Sequence, residues 1–219
     1  MNDDARTARS ILACPDEVEL VVDGVPHPLD GASLSLSDWS GTPVFVCASG
    51  CSLSRAGTQR RNALMAVTSS SVEGACLVLA GQLRRAGVNA CTCADGAHDL
   101  VAVDLSRVLL TRGEQRLAID LEEFENPTLQ LNAGFLRRSE QHINLDHGDH
   151  LRHAVAQRLG LRPPEVGGAQ LRRLTVLGAE LHWVTDEGGA STTLRFPRAA
   201  RDADELGAYL REVLHPSLC

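Results

Sequence analysis

The stretch Gln141–His153, QHINLDHGDHLRH, holds four of the chain's eight histidines, with Asp146 and Asp149 between them. Imidazoles and carboxylates at this density can ligate a transition metal or carry protons. On a helix, His147 and His150 are neighbours, as are His150 and His153, and Asp146 reaches His150 at four residues' spacing. The same residues can equally open a helix, with Asn144 or Asp146 as the cap and acidic side chains matching the dipole. The sequence has no HExxH zinc signature, which favours the helix-opening reading over a metal centre.

Thiols are the second candidate chemistry. Cys47 and Cys51, with Cys91 and Cys93, could offer four thiolates, but neither pair has the CxxC knuckle of a zinc site. Cys14 and Cys76 read as small core residues. Seven cysteines are an odd number. Their scatter through apolar stretches suits a reduced, cytoplasmic protein. The opening Met1-Asn2-Asp3-Asp4 is acidic and carries no apolar run, so no secretory signal is expected.

Charge narrows the field further. All 21 fixed cations are arginines, against 28 carboxylates, for a net charge of -7. Without lysine there is no Walker-type phosphate loop, no Schiff base and no lysine general base. Anion recognition must use arginine forks or backbone N–H groups. The acidic balance argues against a nucleic-acid or anionic-membrane surface, and no apolar run is long enough for a transmembrane helix.

The positioning elements follow from hydrophobic period. A short helix is expected over Asp4–Leu12. Strands are expected over Glu17–Val22, Pro43–Ala48, Leu64–Thr68, Ala75–Leu83, Leu100–Leu110 and Gln115–Leu121. Val25-Pro26-His27-Pro28 should end the first strand. Residues 51–62 read as a polar connection carrying Ser54, Thr58, Arg60 and Arg61, and residues 86–99 read as a loop. Short strands at this spacing with few helices between them suggest a small antiparallel barrel.

After Pro127 the period changes to helical over Thr128–Ser139 and Leu145–Leu159, closed by Gly160 and Pro163-Pro164. Strands at Leu171–Leu177, Ala179–Thr185 and Ser191–Phe196 follow, the last two joined as a hairpin through Asp186–Gly189. Asp202 and Glu205 open a final helix as a capping box. The expected fold class is α+β: an antiparallel barrel domain over residues 1–126, then an α, β-hairpin, α domain over residues 127–219.

His142-Ile143-Asn144-Leu145-Asp146-His147-Gly148-Asp149 resembles the H-[MI]-N-x-[DE]-H-x-[DE] opening of a small bacterial domain. The resemblance continues through Leu151, the hairpin around Trp183, Leu194-Arg195-Phe196 and the capped helix at Asp202. That domain typically follows an FMN-type split barrel, as in bacterial heme-utilisation proteins, plant glutamyl-tRNA-reductase-binding proteins and piperazate synthases. The resemblance implies a homodimeric split β-barrel with a cofactor crevice at the subunit interface.

Heme b is the cofactor the resemblance implies. FMN is disfavoured, because only Ser54, Thr58, Arg60 and Arg61 are available for its phosphate. In heme-binding relatives a histidine near the C-terminus ligates iron, which here points to His215, released from the last helix by Pro216. His142, His147, His150 and His182 are rival ligands. Arg60 and Arg61, with Ser54, are the candidates for the propionates.

Three functions then compete. The favoured one is piperazate synthase chemistry, an N–N bond formed by cyclising the small amino acid N5-hydroxy-L-ornithine. The others are a heme-degrading oxygenase and a non-enzymatic heme-binding or protein-interaction module. The catalytic residues stay unassigned.

Overall fold

Asp23-Gly24 turns the chain back on itself, with φ of 48° and 82°. Two consecutive positive φ angles match the right-handed twist of a tight hairpin, and Asp-Gly adopts them cheaply. This turn joins β1 (Glu17–Val22) to β2 (Val25–His27). A second hairpin, through Ser40-Gly41, joins β3 (Ser35–Trp39) to β4 (Thr42–Ala48). The structure is a computed structural model and describes residues 3–29, 35–89 and 98–214.

The chain divides into two compact units, Met1–Gly134 and Phe135–Cys219. In unit 1, α1 (Asp3–Ala13) precedes β1–β4 and α2 (Ser52–Thr58) follows them. Next come β5 (Asn62–Thr68), β6 (Ala75–Asn89), β7 (His98–Arg112), β8 (Gln115–Ile119) and the single turn α3 (Leu121–Phe124). The class is α+β, as the sequence implies, and the large sheet is antiparallel throughout.

Strand order is β2-β1-β5-β6-β7-β4-β3, with β8 also pairing with β7. Strand β7 gives one edge to β6 and divides the other between β4 near its start and β8 near its end. Among the described residues β2 and β3, the two ends of the order, do not pair, so the sheet is not a closed barrel. The register shifts at Ala80/Gly81 and Arg85/Gly87, where bulges bend the long β6–β7 ribbon.

One sheet face carries the core. Phe45, Met65, Val67, Leu77, Leu79, Leu83, Val103 and Leu110 are buried there with Ile11 and Leu12 of α1 and Leu53 of α2. Scarce aromatics make this an aliphatic core, as the composition requires.

In unit 2, α4 (Ala133–Asp146, whose first two residues belong to unit 1) leads into α5 (Gly148–Leu159), which ends on a left-handed Gly160. The strands β9 (Gly168–Thr175), β10 (Gly178–Thr185) and β11 (Gly188–Arg195) form a three-stranded meander, and α6 (Ala203–Val213) closes the unit.

Local readings shift in several places. Residues 51–62 contain the helix α2 rather than only a connection, because the Cys51 side chain and Ser52 start it. Part of the expected loop 86–99 extends β6 to Asn89 and starts β7 at His98. Most consequentially, His142–Asp146 lies in the last turn of α4 and does not open a helix.

Candidate functional site

The histidine segment forms a bend. Helix α4 ends at Asp146 and α5 begins after His147, whose N–H still reaches the Ile143 carbonyl at 3.0 Å. His147 makes no side-chain cap and is buried. Its ring meets His142 edge-on at 5.0 Å between centroids, and its Nδ1 lies 3.3 Å from Nδ1 of His150. His142 Nδ1 sits 2.6 Å from the Asp146 carboxylate.

Burial is the first reason the His147 pKa is lowered, and the potential charges of His142 and His150 add to it, with Asp146 opposing. The bend thus brings His142, His147 and His150 together, while His153 instead faces the Asp149 carbonyl. Among the described residues no group of three or more His, Cys, Asp and Glu is arranged to hold a metal ion. His182 lies elsewhere, on β10, 3.0 Å from Glu180.

Asn144, in the same motif, has a different task. Its amide donates to the Leu171 carbonyl at 2.9 Å and accepts the Leu171 N–H at 2.8 Å. One turn earlier, Glu140 accepts the Leu174 N–H at 2.9 Å. Together they satisfy three backbone groups on the edge of β9 that β10 leaves open.

Ser54 belongs to a second cluster, in unit 1. It is buried in α2 and donates its hydroxyl proton to Asp99 of β7. Asp99 also accepts from Arg85 at 2.7 Å and from the Gly50 N–H at 3.3 Å. Its side chain is 2% exposed. The Ser54 hydroxyl, then Arg85, hold its carboxyl far below the usual carboxylate range.

Cys47 donates to the Asp99 carbonyl at 3.7 Å, and Cys51 accepts the Ser54 N–H at 3.4 Å. Burial, then the neighbouring Cys51, pushes the Cys47 thiol up to about 12. These contacts tie α2 to β4 and β7 around an ionised acid. Cys91 and Cys93, the other half of the thiolate set, lie outside the described residues, as does His215.

The two arginines diverge. Arg60 lies 3.2 Å from Asp104, which also takes Arg84 at 2.9 Å. Arg61 pairs with Asp23 at 2.8 Å. The Arg60–Asp104–Arg84 triad therefore keeps one net positive charge.

This triad borders a surface the strand spacing did not reveal. Side chains opposite one another across paired strands share a face. One row runs Glu19, Ala66, Val78, Leu109 and Ala118; the next runs Val21, Leu64, Ala80 and Arg107. Every member is half-buried or exposed, and Leu64 is 47% exposed. The third row, Glu17, Thr68, Cys76, Thr111 and Arg116, is polar, and it places Cys76 outside the core. An aliphatic band thus crosses five strands, with acids on its β1 side and arginines on its β7–β8 side.

No family model matches the chain, and no curated protein does. Among solved structures, a heme binding protein from Mycobacterium smegmatis aligns over 97% of this chain and 96% of its own, at 19% identity and a TM-score of 0.44. A protein of unknown function from Agrobacterium tumefaciens aligns over 96% and 95%, at 14% identity and a TM-score of 0.39. A Jannaschia protein described as general stress protein 26 aligns over 89% and 98%, at 14% and 0.38. Likenesses this distant carry no functional weight by themselves.

Proposed function

We propose that two copies of this chain pack through the aliphatic band of unit 1 and hold a heme b between them, and that the assembly closes an N–N bond in a hydroxylated ornithine. The observation that carries this reading is the band itself. A second copy laid on it about a two-fold axis brings Glu17 and Glu19 toward Arg107 and Arg116, the self-complementarity an isologous interface needs. The resemblance around His142–Asp149 supplies the cofactor class.

The residues present fit a heme in kind. Its faces are flat and apolar, as the Leu64–Val78–Leu109 band is, and its propionates require cations at the rim. Arg60 and Arg84 share one carboxylate and so retain charge for an anion. Arg61, spent on Asp23, is less available. His215 is the proposed iron ligand.

Bound heme would supply a Lewis-acidic or redox-active iron to weaken the N–O bond of N5-hydroxy-L-ornithine. Ring closure would form the N–N bond from the α-amine as the N–O bond breaks, the hydroxyl leaving with the displaced amine proton as water. The chain's part is to exclude bulk water with the aliphatic band and to hold the amino-acid carboxylate with an arginine.

Hemin titration followed by absorption, with light scattering for mass, tests the reading. A Soret band that saturates at one heme per chain or per pair, a dimeric mass, and piperazate from N5-hydroxy-L-ornithine are expected, and His215→Ala should move the band. Absorbance near 450 nm identifies a flavin protein instead. Heme loss with ascorbate and oxygen, without ring closure, identifies a heme-degrading enzyme, and a colourless protein that binds neither overturns the cofactor assignment.

A further inference from the structure

Unit 2 carries a cleft that plays no part in the heme reading. It lies between α4 and α6, has a volume of about 230 Å³, and is floored by Phe135, Ile143, Leu206 and Leu210. Its rim carries His142 from α4, and Asp204 and Arg211 from α6. A volume this size, below the usual range for drug-sized ligands, suits a ligand of few heavy atoms.

The rim is polarised. Asp204 and Arg211 stand seven residues apart, on one face of α6. Glycine at 207 brings them closer in effect: a β-carbon built there would lie 3.4 Å from Nη1 of Arg211, so the guanidinium folds back one turn along the helix, over Gly207. Arg211 is half-buried, and among the described residues neither it nor Asp204 makes a side-chain ion pair or hydrogen bond. One C-terminal carbonyl of α6, the usual attraction for an arginine in the last turn, is taken by Arg158, which donates to the Val213 carbonyl at 2.6 Å.

A half-buried cation aimed along an apolar cleft, with a carboxylate one turn away, is chemistry waiting for a dipolar ligand. A simple anion would meet Asp204, and a simple cation would meet Arg211. We propose that this cleft binds a small zwitterionic amino acid with an apolar side chain. Its carboxylate meets the Arg211 fork, its ammonium meets Asp204, and its side chain lies on the Phe135–Leu206 floor. His142, oriented by Asp146 at 2.6 Å, closes the α4 side of the rim as a positioning residue.

Calorimetric titration of the full chain without added heme tests this with L-leucine, 4-methylpentanoate and 3-methylbutylamine. L-leucine should bind saturably, and each one-ended analogue should bind at least tenfold more weakly. Arg211→Gln and Asp204→Asn should each weaken L-leucine about tenfold to a hundredfold, the worth of one charged hydrogen bond. Arg211→Lys should recover part of the loss. Asp204 is exposed, so its variant should keep the far-UV circular dichroism of the parent and stays informative should Arg211→Gln fail to fold. Equal binding of 4-methylpentanoate overturns the zwitterion assignment. No saturable binding of L-leucine, or unchanged affinity in folded Asp204→Asn, overturns the site. Because heme is absent throughout, these outcomes are independent of the heme proposal.

Discussion

The Asn144 side chain pairs with both backbone groups of Leu171, as though it were a residue of a neighbouring strand, with bonds of 2.9 and 2.8 Å. At Leu171 a strand edge otherwise open to water or to another chain is thereby covered by one amide. The relationship explains why an asparagine stands in the last turn of a helix, where its propensity is poor.

Removing that amide should therefore be costly. Asn144→Ala leaves the Leu171 N–H and carbonyl without their partner and is expected to lower stability by about 1–3 kcal/mol. Asn144→Asp keeps the acceptor, loses the donor and places a charge beside the Leu171 carbonyl, so it should also destabilise. Urea denaturation monitored at Trp183, on the paired strand β10, measures both. A loss below about 0.5 kcal/mol for Asn144→Ala would mean that water replaces the amide at no cost.

Arg9 should be the most sensitive charged position in unit 1. Its side chain is fully buried, lies 2.9 Å from Asp38, and donates to the Phe124 carbonyl at 2.8 Å. Truncating it strands the Asp38 carboxylate, which retains the Gly41 N–H at 2.7 Å but loses its countercharge. Arg9→Ala is expected to cost about 3–5 kcal/mol, whereas the double change Arg9→Met with Asp38→Leu should recover most of it. Thermal unfolding of the single and double variants decides the point; a double variant no better than the single rejects the stranded charge as the cause.

Particular residues show how far local pattern reaches. The alternation of Glu17–Val22 and the aliphatic runs of β5–β7 were legible because one face of each strand is buried. Strand β3, Ser35–Trp39, was not, because only Leu36 in it is buried. Asp23-Gly24 did carry a hairpin signal, and Pro26 in the following residues masked it.

The site was less legible than the fold. The concentration of histidines was visible, but the bend at His147 depends on α4 continuing to Asp146, and Asn144 looks like a cap until β9 is beside it. Asp99, the partner of Ser54 across 45 positions, has no sequence signal at all, since its pairing is set by where α2 lands on β7. The same holds for Arg60 and Arg84, which only the sheet register brings to one carboxylate.

The histidine bend should make stability depend on pH in a defined direction. Folding lowers the His147 pKa, so between its folded value and the ordinary value near 6.5 the unfolded chain binds more protons. This contribution is complete above about pH 6.5 and is lost as pH falls through the folded value. His147→Asn should flatten the part of the stability profile below pH 6.5 that this group produces. Denaturation midpoints compared at pH 7.5 and 5.5 test it; an identical pH dependence in parent and variant would show that His147 does not report on folding.

Cys47 offers a kinetic counterpart. With its thiol pushed up to about 12 by burial and by Cys51, the thiolate fraction at pH 8 is about one in ten thousand. The sulfur is also enclosed, its side chain donating to the Asp99 carbonyl. Native protein treated with iodoacetamide at pH 8 should therefore leave Cys47 unmodified long after exposed thiols have reacted, and peptide mass spectrometry resolves the individual sites. Ser54→Ala removes the largest single stabiliser of the Asp99 carboxylate and loosens the anchorage of α2, so Cys47 labelling should accelerate, by tenfold or more if local opening limits the reaction. Rapid labelling in the parent would mean that α2 opens freely, and an unchanged rate in the variant would mean that Cys47 is held by the sheet and not by the Ser54–Asp99 bond.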